Sequence, residues 1–168
     1  MKPMFLLALL LAAIGCVVGF SLGFPLSSAM LSRLDPYMRF TPSTVGHQQF
    51  LSGVRIHYAQ HLAFYTGLLF AAAPLAVIAS GSKTFKVRKL LLYLLCGITV
   101  SAGCYWFDFV ELSSPLFEIW GHLSEAAFLT TTRHPLNGIL VIYAVALLQR
   151  FIFPDRTAKK KCRDESQG

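Results

Sequence analysis

The chain has 168 residues, a net charge of +7, 55% hydrophobic residues, only 14% charged ones, and a mean hydropathy of +0.57. Those values lie outside the range of soluble globular domains and point to a membrane protein. The basic balance does not read as nucleic-acid binding, because the lysines and arginines flank apolar runs and form no binding motif.

The first apolar run covers about 4–24. Lys2 precedes it and Ser27-Ser28-Ala29 follows, which is the outline of a signal peptide. Its apolar core is about 21 residues, however, against roughly 7–15 for a signal core, so it reads as a retained span. Gly15, Gly19 and Gly23 recur every four residues, a spacing that lets another helix approach closely. A loop of about 25–57 follows, with Pro25, Pro36 and Pro42. After Thr41-Pro42-Ser43, the recurrence of Leu51, Val54, Tyr58 and His61 predicts that the second helix starts near residue 44 and projects beyond the bilayer.

The second apolar run covers about 58–80, with Pro74 expected to kink it without ending it. A short loop at 81–89 makes the second and third spans a tight hairpin. The third span, about 90–110, contains Gly97, Ser101, Ala102 and Gly103, a further small-residue packing surface. In the loop 111–134, Ser114-Pro115 is a helix start. Leu116, Ile119, Trp120, Leu123 and Ala127 then fall on one face and Glu118, His122 and Glu125 on the other. This predicts an amphipathic helix of about four turns, too short to span, lying in the interface or over the bundle. The fourth span covers about 135–153, and a basic tail occupies 155–168.

Each run is long enough for a ~30 Å hydrocarbon core, and in lipid such segments must be helices. The expected fold is therefore all-α, a four-transmembrane-helix bundle over residues 1–154 with an extra interfacial helix. Orientation follows from charge. With both termini and the 81–89 loop on one side, that side holds Lys2, Lys83, Lys86, Arg88, Lys89, Arg150, Arg156, Lys159, Lys160, Lys161 and Arg163. The other side holds Arg33, Arg39, Arg55 and Arg133, so both termini are expected inside.

The chemistry-bearing residues gather on the outer side. His47, His57, His61, His122 and His134 map there, together with Asp108, Glu111, Glu118 and Glu125. His57, His61, His122 and Glu118 are the candidate metal ligands, and His61 with His134 is the one pairing that suits a haem. The alternative is that His57 and His61 sit at the polar interface, bonded to Tyr58, Glu111 or backbone carbonyls. Asp108, at the outer end of the third span, is costly in lipid unless paired, and Arg55 and Arg133 lie at the same depth. An outer-face ion pair is the default reading; a proton site in a small transporter is the alternative. Cys96 and Cys104 are about 12 Å apart on one helix, too far for a disulfide, and no C-x-x-C occurs. Cys162, among lysines, is a candidate for acylation.

Four local patterns also resemble a family. They are Gly19-Phe20-Ser21-Leu22-Gly23-Phe24, His57-x-x-x-His61, Val100-Ser101-Ala102-Gly103-Cys104-Tyr105 and Pro135-Leu136-Asn137-Gly138. Their order resembles the small four-span YgdD-like family, which includes transmembrane protein 256. His61, Tyr105, Pro135 and Gly138 are the positions that match its motifs. His57 stands where the family has tyrosine, Asn137 where it has glycine, and both outer loops are longer. The resemblance implies a four-span membrane fold and no reaction, and it weighs against haem.

The expected function is non-enzymatic and without a cofactor: an accessory or scaffold subunit packing against other membrane-protein subunits and lipid. Trp106, Phe117, Trp120 and Phe128 are its contact candidates. The expected host is the mitochondrial inner membrane, in a respiratory or ATP-synthase assembly, or a bacterial plasma membrane.

Overall fold

The computed structural model describes residues 2–34, 45–81, 86–111 and 131–152, with side chains over 4–32, 52–81, 86–107 and 131–152. Among these residues the helices are α1 (Lys2–Leu34), α2 (Val45–Ala79), α3 (Val87–Glu111) and α4 (His134–Ile152), the last entered through a 3-10 turn at Thr131–Arg133. No strand occurs among the described residues. All four helices are long and apolar enough to cross a membrane, through Met4–Ser32, Ser52–Ala79, Val87–Phe107 and Thr131–Ile152. Fewer than half the residues of each span are buried within the protein, and large apolar side chains such as Phe5, Leu9, Leu68, Leu95 and Leu148 face outward. Lipid is the solvent that makes such a surface favourable, and the fold supports a multi-pass membrane protein. The expected amphipathic helix from Ser114 and the tail 155–168 lie outside the described residues.

The central helix is α2. It carries α1 along one side and α3, α4 and the 3-10 turn on the other, while α1 makes at most glancing contact with α3 and α4. The main core gathers Leu69, Ala73, Ala76 and Val77 of α2, Leu90 and Tyr93 of α3, and Ile142 and Ala146 of α4. Met4, Leu7 and Leu11 of α1 pack against its edge. This end of the molecule also bears Lys86, Arg88, Lys89 and Arg150 and is termed the basic end. The opposite end, with His57, His61 and His134, is the histidine end.

At the basic end α2 stops for a local reason. Gly81 has φ 74°, and its N–H donates to the Ile78 carbonyl at 3.0 Å while Ser80 N–H donates to Ala76 at 2.9 Å. A residue with a Cβ is strained at that φ, so glycine ends the helix here. Pro74 is fully buried and does not end α2, as its sequence position implied.

The first span is longer than its hydropathy predicts. It was expected to end near residue 24, yet α1 runs through Pro25 to Leu34. Pro25 is exposed, so the hydrogen bond its ring removes is lost on the outward face. The inward face continues past it, with Ser27, Met30 and Leu31 buried. The Ser27 hydroxyl donates to the Phe24 carbonyl at 2.9 Å. The second helix starts at Val45, where the pattern after Pro42 placed it. At 33 and 35 residues, α1 and α2 are each about 50 Å long, against about 28 Å for the 19 residues of α4. The α1–α2 hairpin therefore stands above α4 at the histidine end.

Candidate functional site

The α1–α2 seam brings the histidine end into register. Cβ atoms added to Gly15, Gly19 and Gly23 would lie 3.0, 2.8 and 2.5 Å from the Cα atoms of Gly67, Ala63 and Ala59. Two stripes of small residues, each spaced by four, thus face each other antiparallel. The α1 stripe is evident in the sequence; its partner Ala59-x-x-x-Ala63-x-x-x-Gly67 is equally present there but mixes alanine with glycine and so carries a weaker signal. Helices this close gain van der Waals contact over a long line, which is what association in lipid relies on. On the other seam, Gly97 of α3 meets Ile142 and Leu69, and Gly138 of α4 meets the Gly97 carbonyl and Ser101.

Gly103, a packing candidate either inside the bundle or against a neighbouring subunit, is not in either seam: a Cβ there would meet no described residue within 4 Å. Six residues turn a helix by about 600°, which leaves Gly103 some 120° away from the face of Gly97. Ser101, four residues from Gly97, stays on the packed face, buried, and donates to the Gly97 carbonyl at 2.7 Å.

Above the glycine stripe a polar knot closes the histidine end. Tyr58 is fully buried and its hydroxyl donates to Met30 Sδ at 3.6 Å, while Thr131 Oγ1 donates to the Tyr58 oxygen at 3.2 Å. One contact set therefore ties α1, α2 and the turn before α4. Thr132, beside it, is also fully buried. Sequence reading missed Met30, Thr131 and Thr132, since a methionine and two threonines at span ends carry no distinctive signal. It also suggested Tyr58 as a partner for the neighbouring histidines, whereas its hydroxyl is turned into this knot.

His57 and His61 are exposed on α2. The His61 ring leans on Tyr65 with centroids 6.5 Å apart. His134 is placed differently. It is half-buried and meets Tyr105 edge-on at 4.7 Å, within the α3–α4 seam. Next to it, Asn137 Nδ2 approaches Cys104 Sγ at 3.5 Å, although the Asn137 side chain is exposed. Pro135 and Gly138 are buried in the first turns of α4. Pro135 takes the first-turn position where a missing N–H costs least.

The ion pair expected among Asp108, Arg55 and Arg133 has only its two arginines within the described side chains. Arg133 is exposed; Arg55 is half-buried, and its Nε is buried with no hydrogen-bond partner among the described residues. His122 and Glu118, two of the four metal-ligand candidates, lie outside the described residues, as do Phe117, Trp120 and Phe128. Among the described residues no three or more histidines, cysteines or acids cluster closely enough to hold a metal ion. Trp106 is 70% exposed, next to the equally open Phe107, at the histidine end of α3.

Comparison of the chain with known protein families, with curated proteins and with solved structures returns no match.

Proposed function

We propose that this chain is a non-catalytic accessory or scaffold subunit of a larger membrane assembly, packing its spans and its histidine end against other membrane proteins. The observation that carries the reading is Asn137. It lies six residues, about 9 Å, into a span that covers 22 residues and about 33 Å. Its carboxamide is exposed there, with a cysteine sulfur, a weak acceptor, as its contact. Among the described residues that weak contact is the carboxamide's one hydrogen bond, and amide groups left unmet in hydrocarbon cost roughly 2 kcal/mol or more. A helix of a neighbouring subunit supplies the missing partners, which is the usual use of polar side chains on a lipid-facing surface. Exposed Ala102 and Gly103, on α3 beside Cys104, leave room for it. The tall α1–α2 hairpin adds contact surface beyond the bilayer, and exposed Trp106 adds it near the histidine end of the α3 span.

The resemblance of the spans to the YgdD-like family supports a membrane role without a reaction of its own. With the enlarged loops, it extends the proposal to an energy-converting host: a respiratory or ATP-synthase assembly of the mitochondrial inner membrane, or a bacterial plasma membrane. The test is size in a mild detergent, from native membranes, with visible absorbance followed. The wild-type chain is expected inside a large assembly, and Asn137→Leu is expected to leave it while keeping its helix content. A small colourless particle for the wild type overturns the subunit reading. A Soret band that stays with the isolated chain replaces it with a haem protein.

A further inference from the structure

We propose that His57 and His61 together form a bidentate site for one divalent transition cation of the copper, nickel or zinc class, on the outward face of α2. The two residues stand four apart on one helix, so their Cβ atoms are about 5–6 Å apart on one face, and both rings can turn to a common point. Both side chains are exposed, and neither ring makes a hydrogen bond to a described residue. The charged residue of α2 nearest the pair, Arg55, stands two residues before His57 and so about 160° round the helix, off the face that His57 and His61 share.

The ligand type selects the metal class. Neutral imidazole nitrogen suits zinc, nickel and copper, whereas magnesium and calcium take oxygen ligands. Copper(II) is held tightest of the three by a given nitrogen site. Two protein ligands leave the remaining coordination positions to water, so the site is open and exchangeable, unlike a closed structural zinc site. The His61 ring must swing away from its loose contact with Tyr65 toward His57. An exposed ring makes that change among ordinary rotamers. His134 is the internal contrast, since its ring is half-buried and held edge-on by Tyr105.

The proposal stands apart from the subunit reading and is tested on the isolated chain. The untagged full-length protein in detergent is titrated with Cu2+, Ni2+ and Zn2+ by calorimetry, and the Cu2+ form is read by electron paramagnetic resonance. One equivalent is expected, with coupling to two nitrogens. His57→Ala and His61→Ala should each weaken binding by at least the roughly tenfold that losing even an outer-shell partner costs. His134→Ala should leave affinity unchanged. A double variant, His57→Ala with Tyr65→His, rebuilds the spacing one turn lower and should regain the two-nitrogen signal. Wild-type affinity in His61→Ala, or an equal loss in His134→Ala, overturns the site.

Discussion

The two helical hairpins of this molecule are joined in opposite ways. Along α1–α2, from Gly15 to Gly23, the contact is backbone against backbone and small side chain. Along α3–α4 the backbones meet closely at one crossing, Gly97 and Gly138, with polar side-chain contacts on either side of it. Tyr93 OH donates to Gln149 Oε1 at 2.8 Å at the basic end, and Asn137 and His134 meet Cys104 and Tyr105 at the other. Lipid tails are as apolar as leucine, so neither seam is driven by the hydrophobic effect within the bilayer. The first relies on shape repeated at three glycines over a little more than two turns, and the second on one close crossing with side chains as pegs. The long seam should therefore fail at any added atom, and the short one selectively.

The largest effect is expected at Gly19. A Cβ there would stand 2.7 Å from the Leu62 carbonyl oxygen and 2.8 Å from the Ala63 Cα. Both are backbone atoms, so a larger residue separates the helices instead of rearranging a side chain. Gly19→Leu should cost about 3 kcal/mol, the upper part of the overpacking range, read by detergent unfolding of the isolated chain. A Gly19→Leu protein as stable as wild type would show that the seam is not packed as described.

At the second seam, the two glycines should differ. A Cβ on Gly138 would press on the Gly97 carbonyl, which already accepts from Ser101, and would lie 2.7 Å from Ser101 Oγ. A Cβ on Gly97 would meet mostly the flexible ends of Ile142 and Leu69, at 2.6 and 2.8 Å. Gly138→Ala is thus expected to cost about 2 kcal/mol and Gly97→Ala about 1 kcal/mol. The order is the test, and equal or reversed losses contradict it. A smaller loss, about 0.6 kcal/mol, is expected for Tyr93→Phe, which removes a hydrogen bond of the kind that averages that value between membrane helices. A double-mutant cycle with Gln149→Leu isolates the pair term, and a coupling indistinguishable from zero would remove this peg from the account.

The helices were legible because each buries its backbone in lipid and so must be apolar over its length. The extent of α1 was not, because Pro25 signals a boundary locally, while the packing of Ser27, Met30 and Leu31 past it is a property of two helices together. The same reason hid the pairing of the glycines with Ala59, Ala63 and Gly67: each stripe is visible alone, but their register is set by the fold. Gly103 shows the converse: the sequence marks it as a small residue like Gly97, but which of the two packs within the chain is set by helical rotation and the seam. Of the histidines, the i,i+4 relation of His57 and His61 was evident from spacing. The Tyr105–His134 contact required the antiparallel seam to bring 105 and 134 together.

The smallest effect is expected at Gly103. Gly103 meets no described residue, so no described neighbour resists a side chain there. Gly103→Leu in the isolated protein should change stability by no more than about 0.5 kcal/mol, or raise it slightly, since glycine is the weaker helix former. The same substitution is informative in native membranes, because Gly103 adjoins Cys104, whose sulfur contacts the exposed Asn137. If a partner helix lies along that surface, Gly103→Leu should release the chain from its assembly while the isolated protein stays intact. Loss of stability in the isolated chain would instead place Gly103 in an internal seam, and the contrast between a packed Gly97 and an open Gly103 would fall.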